Sequence, residues 1–566
     1  MGRGLSRALP AAMALIALAV PPPAGAGQTD EGTAPRISFY LAPGPGPGQT
    51  SLVSGAAPFD LSREADPALL SAVQTIRADG AGLPPAAAES RPRPRLLRAW
   101  IEWGAFMAAD TIQYWTSNSF PEDADFKVSF DDQIPRILFL DGVRFDSNQF
   151  SLNWSHILGG ALYFQFGRTN HTSWLYATMM SVAGSTWWEV IGEPKEVIAI
   201  NDQIITGLGG FALGEPWYQI ANYLLHSPGW PERALAVLNP VLFVNRWLDR
   251  KDPAAKAYVQ PGWHDFTLFS GARRLSTAGT ATGTDLYLGF RAQLIGLPDY
   301  GRSGEVRRGL ADTYFSEMTF DYATRGGHAE ETRLFAKAVP WGLLDQKIGQ
   351  NGRGHSLTLG LGSAFEFFKK RPLADYDAVP VPVKSDLGRL HLEEPRAFTD
   401  KLAILHIVGP VLDLTAFGRG VKFRTVIEGY ADFALVNATA LNDYSVTHSI
   451  LGLKTTVFYY GYYYGFGGTG AASVTLDYKG FELRVRAELN AWGSADFLDR
   501  FDAEVTNNAH LTDSRVLYRG GLSWRLPSTP VRLFADLERV RRWGRLEEIR
   551  TLRVENKTYA GLAFTF

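Results

Sequence analysis

Between residues 146 and 215, three polar clusters interrupt sequence that is otherwise apolar. The first, RFDSNQFSLNWSHILGG, holds Asp146, Asn148, Asn153 and His156. Asn153 and His156 are three positions apart and share one face of a helix. The second, STWWEVIGEP, holds Glu189 and Glu193 four apart, with Ser185 one turn earlier. The third, AINDQIITGLGGFALGEPWYQ, holds Asn201, Asp202 and Glu215. Its glycines at 207, 209, 210 and 214 admit close approach of a neighbouring backbone. One histidine with two or three carboxylates can hold a divalent metal. Alternatively, a carboxylate can orient the imidazole as a general base. His156, Glu189, Glu193 and Asp202 are therefore the candidate catalytic residues, and Asn153, Asn201 and Glu215 the candidate ligand-binding ones. The sequence assigns neither a metal nor a cofactor. The same side chains could instead satisfy one another as a buried network that fixes helix register. A nucleophile elbow, an HExxH motif, a P-loop and a dinucleotide fingerprint are all absent from the sequence. GFGGTG at 465–470 lies between strand-like runs with no helix after it, which argues against a phosphate loop.

The segment from about 140 to 250 resembles the bacterial domain of unknown function 3943. The likeness rests on Asp146, Asn148, Asn153, His156 and Gly160; on Ser185, Trp188, Glu189 and Glu193; and on Ile200, Asn201, Asp202, Thr206, Gly209, Gly210, Gly214 and Glu215. Ile157 departs from the family pattern, which has proline after the histidine; this bears on where the local helix begins. The resemblance implies an envelope protein and carries no known reaction. The order of histidine, glutamates, then Asn-Asp and glycines is also similar in pattern to VanZ-like helical domains, which implies a shared helical core but no shared substrate.

Helices must position these residues. Apolar groups recur at helical spacing over 96–116, 148–169, 173–192 and 200–226. A further helix is expected over 231–249, bent at Pro240. Residues 94–250 thus form a helical domain. Before it, 27–93 is rich in Pro, Gly and Ala and reads as a disordered linker. Residues 1–26 read as a secretory signal peptide: Arg3 and Arg7, an apolar stretch from Leu9 to Val20, then Ala24-Gly25-Ala26. The chain contains no cysteine, which excludes disulfides, thiol catalysis and thiolate metal sites.

From Trp263 the period changes to two. Phe481, Leu483, Val485, Ala487, Leu489 and Ala491 alternate with Glu482, Arg484, Arg486, Glu488 and Asn490. One face is apolar and the other charged, over a length that can cross a bilayer as a tilted strand. Strand-like runs fall at 471–478, 481–492, 513–525, 530–541 and 557–566, with gaps that alternate short and long, as in outer-membrane barrels. The predicted fold is α+β: an N-terminal helical domain followed by an antiparallel outer-membrane β-barrel over 263–566. About twelve strands are expected, with ten or fourteen as neighbours, and 340–355 and 370–420 are ambiguous. VFYYGYYYGFGG (457–468) reads as a strand end in an aromatic girdle followed by a loop. The whole chain's 15 Trp, 22 Tyr and 34 Phe suit such girdles. The aromatic terminal strand ending at Phe566 resembles the signal read by the outer-membrane assembly machinery.

A net charge of −2 gives no sign of nucleic-acid binding. Outer-membrane lipid is the expected partner and the outer membrane of a Gram-negative cell the expected location. Two functions follow. One is a barrel with a periplasmic or lumen-plugging helical domain that handles lipid or a small solute. The other is an envelope hydrolase or transferase acting on lipid or glycan through the His/carboxylate site.

Overall fold

The computed structural model describes residues 93–116, 133–138, 143–146, 148–194, 198–226, 238–249, 262–277, 283–297, 299–371, 379–384, 390–396, 400–496 and 507–565. The expected leader (1–26), all but the last residue of the linker (27–93) and Phe566 lie outside them.

The helical unit contains α1 (Leu96–Thr116), α2 (Phe150–Arg168), α3 (Trp174–Trp187), α4 (Gly209–His226) and α5 (Pro240–Leu248). A π-turn, Trp188–Gly192, extends α3, and a helical turn (Ile200–Asp202) with a second π-turn (Gln203–Leu208) leads into α4. α2 starts at Phe150, so Ile157 lies mid-helix, where a proline would break the backbone ladder. Ser173 caps α3 by accepting from the Tyr176 amide. α5 starts at Pro240, since proline is tolerated at a first helical turn; residues 231–237 of the helix expected over 231–249 lie outside the described residues. Two of the expected glycines sit at close approaches: a Cβ on Gly210 would lie 2.7 Å from the Gly160 carbonyl oxygen, and one on Gly214 2.7 Å from the Phe164 ring. None of the described helices is by itself long and apolar enough to cross a membrane.

Twelve antiparallel strands close into a barrel. They are β1 (Trp263–Thr277), β2 (Thr284–Ile295), β3 (Val306–Arg325), β4 (His328–Ile348), β5 (Gly354–Lys370), β8 (Asp400–Gly418), β9 (Val421–Asn437), β10 (Tyr462–Tyr478), β11 (Phe481–Ser494), β12 (Leu511–Arg525), β13 (Val531–Leu546) and β14 (Ile549–Thr565). β6 (Val379–Lys384) and β7 (Leu390–Arg396) form a separate hairpin. β14 closes on β1, with Phe564 opposite Leu268. The two ends differ. One carries connections 296–305, 349–353, 419–420, 479–480 and 526–530; the other carries 371–399, 438–461 and 495–510, with shorter ones between. These are called the short-turn end and the long-loop end below.

Two expectations need correction. Residues 542–556 are not a long loop: β13 and β14 meet at a turn over 547–548. Arginines at 541, 542, 545, 550 and 553 had hidden the apolar alternation there. The aromatic run 457–468 is not a strand end and loop. It is a helix, α7 (Thr455–Tyr460), after α6 (Leu441–Thr447), then Gly461 at φ 70°, then the start of β10, with Gly465 to Gly470 inside the strand. A Cβ on Gly467 would lie 1.9 Å from the Ala491 carbonyl oxygen, so close strand approach explains that glycine.

The two faces of the wall are opposite in character. Leu483, Val485 and Leu489 of β11 are about half exposed on the outside. Glu482, Glu488 and Asn490 are buried in the lumen. Ion pairs cross the lumen between strands that are not neighbours. Arg333 of β4 donates to Glu538 of β13 at 2.6 and 2.9 Å. Lys337 of β4 meets Glu428 of β9 at 3.0 Å. Arg515 of β12 donates to Glu366 of β5 at 2.7 and 2.8 Å. The connection 438–461, with α6 and α7, folds over the long-loop mouth: Leu441, Ile450, Val457 and Phe458 pack on Leu402, Ile404 and Trp492. At the other end Tyr300 tucks inward, its hydroxyl 2.7 Å from that of Thr415.

The helical unit does not enter this lumen in any described contact. It packs on the outside. On β10, Tyr463 points inward to Asp513, whereas Tyr462 and Tyr464 share the outer side with Phe466. One hydrogen-bonded row of outward residues runs Phe266, Ala292, Met318, Ala336, Phe365, Leu405, Phe433 across seven strands. Along this row sit Ile220 and Leu224 of α4 at one extreme and Phe150, Trp154 and Ile157 of α2 at the other. Bulges at 338/341, 362/364 and 406/408 follow just beyond the row, where the outer wall turns bare at Trp341, Leu361 and Val408.

A candidate site where the helices meet the outer wall

α2 presents Asn153 and His156 on adjacent turns at the long-loop end of the unit. Asn153 is fully buried. Its Nδ2 donates to the hydroxyls of Tyr462 and Tyr464, each at 2.7 Å, and its Oδ1 accepts from Asn201 at 2.9 Å. Asn201 also donates to Asp202 Oδ1 at 2.8 Å and accepts from the Asp146 amide at 3.0 Å. The Tyr464 hydroxyl donates to Asp146 Oδ1 at 2.7 Å. Phe145 stacks on Tyr464 with ring centres 4.9 Å apart. The site is therefore built jointly by helices and by β10 of the barrel.

His156 is held more loosely. Its Nδ1 lies 3.4 Å from Asp202 Oδ1, beyond a good hydrogen bond, and its side chain is 29% exposed while Asp202 is buried.

Glu189 is buried and accepts the Ala199 amide at 2.7 Å, tying the end of α3 to the chain that returns toward α4. Glu193 closes the π-turn, its amide donating to the Trp188 carbonyl at 2.8 Å. The π-turns at 188–192 and 203–208 flank the site, which suits a functional position. Glu215 stands apart at the opposite end of α2, paired with Arg168 at 2.7 and 3.0 Å. The seven candidates therefore divide: Asn153, His156, Asn201 and Asp202 converge, Glu189 and Glu193 flank them, and Glu215 belongs elsewhere. Among the described residues no group of three or more His, Asp or Glu could hold a metal ion.

Ser185 donates to the Asp202 carbonyl at 3.0 Å and Ser181 to the Gly160 carbonyl at 2.8 Å, both locking helix to helix. Sequence reasoning missed Tyr462 and Tyr464. Their signal was present in the aromatic run, but as girdle residues they have no reason to meet a helix. Lys401 of β8 lies on the same wall, 5.5 Å above the Phe150 ring and 5.8 Å above that of Tyr462.

Residues 142–241 match the family model named domain of unknown function 3943. No curated protein matches the chain. Among solved structures, OmpT, an outer membrane protein of Vibrio cholerae, overlaps 54% of this chain and 97% of its own at 8% identity, with a TM-score of 0.21. The β-domain of the Bordetella autotransporter BrkA overlaps 54% and 98% at 11% identity and a TM-score of 0.18. The monoaromatic hydrocarbon channel CymD overlaps 53% and 88% at 9% identity and a TM-score of 0.16. Scores this low carry no argument of their own; the barrel rests on its strand pairing and on its apolar outside and charged inside. The chain thus joins a segment matching the domain of unknown function 3943 to a closed twelve-stranded barrel of outer-membrane type.

Proposed function

We propose that this protein resides in the outer membrane and handles lipid at its outer wall, rather than passing a solute through its lumen. One observation carries the reading: ion pairs bridge the lumen, whereas the polar site is built against wall residues on the lipid-facing side. Outer-membrane barrels keep short turns on the periplasmic side. The site then lies toward the outer leaflet. The closing strand pairs β14 with β1, and its recognition by the assembly machinery is part of this proposal.

The test is reconstitution. The purified protein should leave a planar bilayer without open-channel conductance, and native mass spectrometry should find lipid retained. Stable conductance by lipid-free protein would sink the reading. A second reading, acid–base chemistry on that lipid, is favoured by the partly exposed imidazole beside Asp202. It requires that His156→Ala abolish turnover of a labelled lipid while retention persists.

A further inference from the structure

The helical unit is apolar on the outside and polar within. Across residues 96–249, no Lys, Arg, Asp or Glu whose burial is described is exposed. The exposed positions are instead residues such as Leu97, Ile101 and Ile112 of α1, Leu175 and Met179 of α3, and Trp247 of α5, each 50–76% accessible. A water-facing surface carries roughly 25–35% charged residues. Here the charges turn inward. At one end Arg98 donates to Asp249 at 2.6 Å and to Glu102 at 2.7 Å. At the other end lie Asp146, Asp202 and Glu189, all buried.

Helix direction fits the same pattern. The Arg95 amide donates to the Asn170 carbonyl at 3.0 Å, and Trp115 Nε1 donates to the Gly192 carbonyl at 2.9 Å. α1 and α3 therefore run one way and α2 the other, from one polar end to the other. α1 has 21 residues and so is about 31 Å long, close to the hydrocarbon layer of about 30 Å. The buried polar groups explain why no single helix reads as membrane-crossing: that composition describes the whole helix, whereas lipid would meet its outer face alone.

We propose that the helical unit is immersed in the bilayer beside the barrel, with lipid acyl chains as the occupant of its exposed face. This rests on the reading of the barrel as membrane-embedded. The face is continuous with the barrel's lipid side, because the unit covers one part of that outer wall and leaves Leu361, Val408 and Ile427 bare next to it. Polar side chains facing a bundle interior are the arrangement that hydrocarbon requires.

The absence of cysteine makes the test direct. Single variants Ile101→Cys and Met179→Cys are spin-labelled in the full chain, reconstituted in phosphatidylcholine–phosphatidylglycerol vesicles. Leu537→Cys on the bare wall and Thr529→Cys in a turn are the references. Collisions with oxygen should be frequent and those with a water-soluble nickel chelate rare at 101 and 179, matching 537 and opposite to 529. Nickel access at 101 and 179 with a lipid-like 537 overturns the immersion and leaves the barrel reading standing. Low access to both reagents means protein covers the face and overturns it as well. Nickel access at 537 removes both readings.

Discussion

Asn153 and His156 sit one turn apart and carry different loads. Asn153 satisfies two tyrosine hydroxyls and Asn201 in a dry interface. Asn153→Leu removes these three bonds, although Tyr464 keeps Asp146, Tyr462 keeps the Asn148 carbonyl and Asn201 keeps Asp202, and should lower stability by about 1–3 kcal/mol. His156 touches Asp202 only at 3.4 Å and is partly solvated, so His156→Ala should cost less than about 1 kcal/mol. Urea unfolding in lipid vesicles would measure both; equal large losses would make His156 a structural residue. Polar residues that interrupt apolar helices must find partners, and on that ground the sequence expects His156, Glu189, Glu193 and Asp202 to meet; the structure brings His156 to Asp202, adds Asn153 and Asn201, and leaves the two glutamates flanking them. Glu215 was misgrouped because the sequence does not show that Arg168, one helix away, neutralises it. The tyrosines were invisible because their partners lie more than 300 positions away.

Among elements, β11 shows how far alternation reaches. Its two faces were read from the sequence, and the structure places Val485 outward and Arg484 inward beside Glu482 at 2.9 Å. Val485→Arg should cost roughly 2–4 kcal/mol near the bilayer midplane. Arg484→Ala, in a hydrated and partly exposed setting, should cost much less; similar losses in an unfolding titration would argue against a membrane wall. β13 and β14 were read too short because alternation is a hydrophobic signal, and strands that continue into arginine-rich sequence lose it while keeping their backbone ladder. The α7–β10 junction was missed because aromatic residues serve helix, strand and girdle equally well.

At the scale of the molecule, the helical unit and barrel were both expected, and their docking was not. Phe365, Leu405 and Phe433 are as apolar as Leu361 or Ile427, so period-two patterning cannot separate wall covered by helices from wall covered by lipid. What distinguishes them is the row of register that the helices follow, a property of pairing across strands. The same pairing fills the lumen with ion pairs and moves the polar site outside. In cells, the protein should fractionate with the outer membrane and show heat-modifiable gel mobility; recovery from the soluble periplasm would refute the location.

The central claim, lipid handled at the outer wall, is tested most directly by photo-crosslinking in growing cells. A benzoylphenylalanine in place of Leu152, half exposed beside Asn153, is compared with one in place of Ser473 on the inward side of β10 and one in place of Leu537 on the bare wall. The account predicts lipid-mass adducts at 152 that persist in the His156→Ala background, adducts at 537, and none at 473. Lipid-free protein at 152, or adducts of small solutes at 473, would contradict it.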